Sequence, residues 1–168
     1  MNRTRQLLQQ LQLAATANAV RNVGPIPRPR PALPQRVLIV EDGRVLAKNM
    51  KTYLARSASD VRTAADATQA FAMLDEFVPD ALVLDYGLPG ADGLQIYAEI
   101  VRRKGRRIVC VMVTGDSSIQ LADDARELGI QHVICKPFQF SELQRILEIA
   151  AETEAGSDLE RPAVDSIS

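Results

Sequence analysis

Short apolar runs alternate with helix-like segments through the middle of this chain. Five of the runs have strand length and are bounded by polar or turn-forming residues, at positions 37–40, 61–64, 81–84, 108–113 and 133–135. The segments after them carry apolar residues at helical spacing, which predicts helices over residues 44–57, about 66–77, 93–104, 117–128 and 141–153. Five alternating strand and helix units predict an α/β domain, in which helices cover both faces of a parallel sheet.

The third apolar run organises this pattern, because it ends on a carboxylate. Asp85 closes the run and is followed by Gly87, Pro89, Gly90 and Gly93, which predict a loop that bends away from the strand. In open α/β sheets, ligands bind at the carboxyl ends of the strands. A single aspartate at this position is usually a helix cap, so a functional role for Asp85 depends on which residues follow the other strands.

The segments on either side of the pattern differ in composition. Residues 1–23 carry leucines and alanines at near-helical spacing, which predicts an amphipathic helix that either frays or docks on a partner. Residues 24–35 hold five of the nine prolines and are interpreted as a semi-rigid linker. The predicted domain covers residues 36–153, and residues 154–168 are predicted to be an acidic flexible tail.

Charge and cysteine content narrow the class of protein. The net charge is −1, although residues 1–36 contain six arginines and no acid, so the sequence does not favour a nucleic-acid binder. No apolar run approaches the roughly 20 residues that span a bilayer, which predicts a soluble, cytoplasmic protein without membrane contact. The two cysteines, Cys110 and Cys135, are predicted to lie about 10 Å apart along their strands, too far for a disulfide.

Polar side chains follow four of the five predicted strands. The first strand leads into Glu41 and Asp42, the third ends on Asp85, the fourth leads into Thr114 and the fifth into Lys136. Three carboxylates that meet at one sheet edge need a cation between them, and such hard oxygen ligands suit Mg²⁺ or Mn²⁺. The lysine ammonium and threonine hydroxyl could neutralise a phosphoryl group on Asp85, which would make Asp85 a nucleophile.

With these residues in place, positions 36 to about 153 resemble the receiver domain of two-component response regulators. The residues that carry the resemblance are the acidic pair, the acceptor Asp85 with the loop 88–93, Thr114 and the run Lys136-Pro137-Phe138. The resemblance implies the flavodoxin-like fold, a doubly wound five-stranded parallel sheet of order 2-1-3-4-5 with five helices.

The resemblance also implies a ligand set, donors and partners. Mg²⁺ would be held by Asp42, Asp85 and the backbone carbonyl of Gly87, with Glu41 acting through water. Phosphoryl transfer to Asp85 would come from a histidine kinase, a histidine phosphotransfer protein or a small phosphodonor. The domain would be no enzyme in the usual sense, since it accepts and hydrolyses only its own phosphoryl group. It would signal to a downstream protein of unknown identity, and a homodimer is possible.

Several positions depart from the family pattern or stay open. A Lys136-Pro137 peptide in the cis form is expected, as in other receivers. Val133 stands where receivers usually carry an aromatic residue that couples to phosphorylation, so the usual coupling is not expected. His132 is interpreted as a surface histidine beside its strand. The basic run at positions 102–107 is interpreted as a solvated helix end rather than a phosphate site.

Two functions remain open from the sequence. The first is a single-domain receiver that acts by phosphorylation-dependent partner binding or phosphorelay, since residues after about 153 are too few for an output domain. The second is an adaptor that acts through its N-terminal helix and Pro-rich arm, independently of phosphorylation.

Overall fold

The computed structural model describes residues 33–115 and 118–157, which form alternating strands and helices. The five strands are β1 Arg36–Val40, β2 Asp60–Ala64, β3 Ala81–Asp85, β4 Val109–Thr114 and β5 His132–Cys135. The five helices are α1 Arg44–Leu54, α2 Ala67–Glu76, α3 Gly93–Lys104, α4 Ile119–Glu127 and α5 Phe140–Ser157. The predicted alternation is therefore confirmed, with bounds that shift by a few residues.

The five strands form one parallel sheet of order β2-β1-β3-β4-β5. The predicted flavodoxin-like order is confirmed. Because all strands run in the same direction, their carboxyl ends share one edge of the sheet. The order reverses between β1 and β3, which is the switch point where such folds bind ligands.

Alternate residues of each strand supply two hydrophobic cores, one on each face of the sheet. On β3, Leu82 and Leu84 join the core beneath α2, α3 and α4. Ala81 and Val83 join the core beneath α1 and α5. Since successive side chains of a strand point to opposite faces, a strand that is buried along its whole length, such as β3, needs cover on both sides.

Polar caps set where several helices begin. Asp66 and Asp92 precede α2 and α3, and each carboxylate accepts a 2.8 Å hydrogen bond from a backbone N–H three residues later. Ser118 caps α4, so this helix begins at Ile119 rather than at the predicted position 117. α1 ends at Leu54 rather than at position 57, because hydrogen bonds of i to i+3 type tighten the chain there.

The packed domain extends beyond its predicted start. Leu33 is only 4% exposed and belongs to the core beneath α1 and α5. The backbone carbonyl of Gln35 accepts hydrogen bonds from the N–H groups of Ser59 and Asp60, both at 2.9 Å. The last three residues of the predicted linker, 33–35, are therefore held against the domain. At the other end, α5 continues to Ser157, beyond the predicted end at 153.

The predicted N-terminal helix, the Pro-rich arm up to residue 32 and the tail from residue 158 lie outside the described residues. Within the described part of the chain, none of the helices is both long and apolar enough to cross a bilayer.

Candidate functional site

Three carboxylates meet at the carboxyl edge of the sheet. Glu41 and Asp42 directly follow β1, and Asp85 is the last residue of the neighbouring strand β3. One carboxylate oxygen from each lies within 4.8 Å of the others. The structure thus brings together the acidic residues that the sequence assigned to one pocket.

Two of these acids are removed from water. Glu41 is 4% exposed and Asp85 6%, whereas Asp42 is open to solvent. Burial raises the pKa of Glu41 above its ordinary value, and the nearby charge of Asp85 adds to this, against the opposing hydrogen bond from Lys136. The pocket therefore disfavours a further negative charge unless a cation compensates it.

Lys136 supplies that positive charge within the protein. Its Nζ donates to Asp85 Oδ2 at 2.8 Å and to Glu41 Oε2 at 2.9 Å. Burial alone would lower the pKa of Lys136, but the hydrogen bonds to Asp85 and Glu41 outweigh it, so the pKa is raised. The ammonium thus stays charged between the two buried carboxylates. The predicted cis Lys136-Pro137 peptide is confirmed.

Backbone N–H groups orient both buried carboxylates. Gly43 N–H donates to Glu41 Oε1, and Gly87 N–H donates to Asp85 Oδ1, each at 3.1 Å. Each of these bonds spans two residues, so the loops after β1 and β3 fold back onto the acids that precede them. Asp85 therefore offers one oxygen to a backbone amide and the other to Lys136.

Thr114 closes the same edge. It is the last residue of β4 and is 1% exposed, and its backbone carbonyl accepts a 2.7 Å hydrogen bond from the N–H of Lys136. The hydrogen bond ties the end of β4 to the residue that carries the ammonium group. Thr114 and Lys136 are thereby held at adjacent strand ends, as the sequence predicts.

Gly93 is a residue whose tight packing the sequence analysis missed. Its N–H donates to the carbonyl of Tyr86 at 3.0 Å, and a Cβ built there would lie 2.7 Å from the backbone oxygen of Asp85. The same Cβ would lie 2.8 Å from the sulfur of Met112. The sequence signal is a glycine at the first helical position after a capping aspartate, where other residues are usually preferred. Gly93 lets α3 approach the end of β3 closely.

The donor set suits a divalent cation. Three carboxylate groups with oxygens this close are hard ligands of the kind that Mg²⁺ and Mn²⁺ prefer. Asp42 faces solvent beside the buried pair, so an ion could enter from water and keep some of its own water ligands. The residues present therefore fit the predicted metal, and they do not distinguish Mg²⁺ from Mn²⁺.

The first three residues of the basic run form the last turn of α3 and make local contacts. Arg102 and Arg103 both donate to Glu99 at 2.7 Å, and these hydrogen bonds lower the pKa of Glu99 to about 2. The Lys104 ammonium group bonds the carbonyl of Leu74 near the end of α2. These contacts agree with the interpretation as a charged helix end.

Three further positions that the sequence analysis singled out, His132, Val133 and Cys135, lie on β5. His132 is half-buried on the edge strand β5, and burial lowers its pKa. Val133 is half-buried, packs against the core beneath α2, α3 and α4, and pairs in register with Met112.

Cys135 pairs with Thr114, so it lies four residues along the sheet from Cys110, about 13 Å at strand rise. The predicted lack of a disulfide is confirmed, although the predicted offset of about 10 Å was one residue too short.

Comparison with known proteins identifies relatives for most of the chain. Residues 37–148 match the family described as the response regulator receiver domain. The chain is 33% identical over 134 residues to the transcriptional regulatory protein TrcR of Mycobacterium tuberculosis, covering 80% of this chain and 51% of that protein. It is 30% identical over 128 residues to the transcriptional regulatory protein PdtaR of the same organism, covering 76% of this chain and 62% of that protein. The chain thus spans about half to three fifths of the length of these relatives.

Solved structures give the same result for the fold. The receiver domain of NtrX from Brucella abortus is 31% identical and superposes with a TM-score of 0.63, covering 70% of this chain and 98% of that domain. A CheY-like receiver domain from Methanospirillum hungatei has a TM-score of 0.66 at 22% identity, covering 73% of this chain and 98% of that domain. At that identity the likeness supports the fold alone.

Proposed function

The chain belongs to the receiver-domain family of two-component response regulators, and on that premise we propose that it accepts a phosphoryl group on Asp85 in a Mg²⁺-dependent reaction. One observation carries the proposal. The carboxylate of Asp85 ends β3 at the switch point of the sheet, 2.8 Å from a lysine ammonium and within one acidic cluster. Receiver domains are signalling proteins rather than enzymes that turn over a foreign substrate.

The reaction transfers a phosphoryl group from a nitrogen or oxygen atom of the donor to a carboxylate oxygen of Asp85. A carboxylate oxygen of Asp85 attacks the phosphorus of a phosphohistidine or an acyl phosphate and forms a mixed anhydride. The bond between phosphorus and the donor's nitrogen or oxygen breaks, and the donor leaves with the bonding electron pair. Hydrolysis restores the unmodified site, because water attacks the phosphorus and the Asp85 carboxylate leaves. The released inorganic phosphate carries the oxygen from water.

Lys136 and Thr114 are the residues placed to stabilise the added charge. Lys136 Nζ already bonds Asp85 Oδ2, so a phosphoryl group on that carboxylate would present its oxygens to the same ammonium. Thr114 lies buried at the end of the adjacent strand, where its hydroxyl could donate to another phosphoryl oxygen. Both groups act by holding negative charge, which is the main demand of phosphoryl transfer.

Asp42, Asp85 and the backbone carbonyl of Gly87 would hold Mg²⁺ or Mn²⁺, with Glu41 acting through water. Once bound, the ion would supply positive charge that offsets the approach of an anionic phosphodonor to an acidic pocket. The cluster of carboxylate oxygens within 4.8 Å supports this assignment.

The effect of phosphorylation on a partner protein follows from where the phosphoryl group adds negative charge. Receiver domains of this family interact with histidine kinases, and we propose a histidine kinase or a histidine phosphotransfer protein as donor here. A new dianionic group at the carboxyl edge would change the contacts of the surrounding loops, so a downstream protein could distinguish the two states. Several relatives are named transcriptional regulators, and those proteins are longer than the matched region.

Intact-mass analysis tests the proposal directly. Wild-type protein incubated with Mg²⁺ and acetyl phosphate is expected to gain the mass of one phosphate, whereas Asp85→Asn is expected to gain none. Asp92→Asn is the matched control, because it changes a nearby carboxylate while asparagine caps α3 equally well. Omission of Mg²⁺ should abolish the adduct on wild type. An adduct that persists on Asp85→Asn would place the acceptor elsewhere.

A further inference from the structure

Three aromatic rings in mutual contact connect α1 with the segment after β5, and we call them the aromatic column. It consists of Tyr53, Phe138 and Phe140. The ring centroids of Tyr53 and Phe140 are 5.7 Å apart, and those of Phe138 and Phe140 are 6.2 Å apart in an edge-to-face arrangement. The guanidinium of Arg56, in the turn after α1, lies 5.1 Å from the centre of the Tyr53 ring and extends the column to the surface. Such aromatic pairs have defined geometry and resist sliding.

The aromatic column joins the helix that follows Glu41 and Asp42 to the segment that follows Lys136. Tyr53 belongs to α1, which begins just after Glu41 and Asp42. Phe138 and Phe140 lie in the segment that leaves β5 through Lys136 and starts α5. All three rings are half-buried and pack against the core beneath α1 and α5. The column therefore links the last turn of α1, the helix that follows the acids, to the segment that follows the lysine.

This connection matters because Lys136 and Glu41 start from strands that are not neighbours. β3 and β4 lie between β1 and β5, which places the two strand axes about 14 Å apart at the usual spacing. Lys136 Nζ nevertheless reaches Glu41 Oε2 at 2.9 Å. A lysine stem is flexible and has no fixed direction of its own. The hydrogen bond from its N–H to the Thr114 carbonyl ties the Lys136 backbone to β4 on one side, and the aromatic column holds the residues that follow it against α1.

We propose that the aromatic column is a positioning device for Lys136, which holds its ammonium group between Glu41 and Asp85. The proposal deepens the proposed function and rests on it for its kinetic consequence. Loss of a ring contact should let the segment after β5 shift, and displacements of about 1 Å in such sites reduce rates by up to roughly a hundredfold. Tyr53 and Phe140 act through Lys136 and do not touch the reacting atoms.

The test compares phosphorylation rates of Asp85 with acetyl phosphate. Phe140→Leu and Tyr53→Leu are expected to lower the rate by about tenfold, whereas Tyr53→Phe keeps the ring and should retain the wild-type rate. Phe71→Leu is the matched control, because Phe71 is also half-buried beneath an arginine but lies in the core on the other face of the sheet. In a Lys136→Met background the effect of Phe140→Leu should disappear, since no ammonium group remains to be positioned.

Three results would overturn the proposal. The first is an equal loss for Phe71→Leu, which would indicate a general effect of ring removal. The second is an undiminished loss for Phe140→Leu in the Lys136→Met background. If wild type forms no adduct, the proposed function fails, and the inference is then tested by urea unfolding of the same variants. The third result that would overturn the proposal belongs to this unfolding experiment. If the shifts in unfolding midpoint caused by Phe140→Leu and by Lys136→Met simply add in the double variant, the two residues are independent, whereas positioning of Lys136 by Phe140 requires non-additive shifts.

Discussion

Replacement of Lys136 by methionine removes the ammonium group that forms ion pairs with both Glu41 and Asp85, at nearly constant side-chain volume. Two hydrogen bonds are lost, at 2.8 and 2.9 Å, and two carboxylates that are 4% and 6% exposed remain side by side. The variant therefore isolates the electrostatic cost of the acidic pocket. We expect it to be destabilised without Mg²⁺ and restored by Mg²⁺.

The magnitude follows from the burial of the partners. Truncation of one partner of a fully buried ion pair costs about 3–5 kcal/mol, because a charge is left without compensation. The Lys136 side chain is 28% exposed, so water replaces part of its effect. Protonation of Glu41, whose pKa is already raised by burial, relieves another part. We expect a loss of about 2–3 kcal/mol, a large fraction of the roughly 5–15 kcal/mol by which a domain of this size is stable.

Urea unfolding measures this loss in EDTA and in millimolar Mg²⁺. In EDTA the deficit of Lys136→Met should be largest well above the pKa of Glu41 and shrink as the pH falls, since protonation removes one of the two charges. In Mg²⁺ the deficit should narrow, because the pocket without the Lys136 ammonium binds a cation more tightly than the wild-type pocket does. An ion that binds only the folded state adds about 2.7 kcal/mol at a hundred times its dissociation constant, so the variant with the lower constant gains more. The exposed Lys48→Met is the control and should change stability by less than about 0.5 kcal/mol. A deficit that is absent in EDTA, or that Mg²⁺ leaves unchanged, would refute the reasoning.

Three further predictions concern single residues. Gly93→Ala should destabilise the domain by about 1–3 kcal/mol in urea unfolding, because its Cβ would meet backbone at 2.7 Å. In the control Gly115→Ala the Cβ enters open space and should cost little, so equal losses of stability in the two variants would contradict this reasoning. The pKa of His132 is lowered by burial from 6.5, so its stabilising effect is complete above that pH and is lost as the pH falls through the lowered pKa. His132→Gln should flatten the decline of stability below pH 6.5, and an unchanged slope would exclude this histidine as its source. A thiol reagent should modify the exposed Cys135 and spare Cys110 until urea unfolds the protein, because Cys110 is buried and burial raises the pKa of its thiol. Equal rates of labelling of the two cysteines in native protein would contradict this prediction.

The fold was predictable because its signals are local. Each strand is a short apolar run, and each helix has an apolar stripe, so alternation alone required a parallel sheet with helices on both faces. The cap of α2 has the same local basis, because the Asp66 carboxylate accepts from a backbone N–H only three residues later. Helix ends were less accurate, because the end of α1 depends on a tightened last turn that leaves no clear mark in the sequence.

The candidate site was predictable in its members and not in its contacts. Polar residues at the ends of four strands identify Glu41, Asp85, Thr114 and Lys136 as neighbours, since parallel strands end at one edge. Neither the double hydrogen bond of the Lys136 ammonium nor the close packing of Gly93 can be read from residue types. Both depend on distances between segments that are far apart in the chain.

The sequence by itself determined which residues are apolar, where strands end and which acids and which lysine follow them. Those properties are set by residue identity and by periods of two and 3.6 residues, so they do not depend on distant parts of the chain. Only the tertiary structure decided that Lys136 crosses two strands to reach Glu41, that Leu33 is buried and that Tyr53 meets Phe140. Such contacts arise from how α1 and α5 pack side by side on one face of the sheet, and packing depends on the shape of many side chains at once.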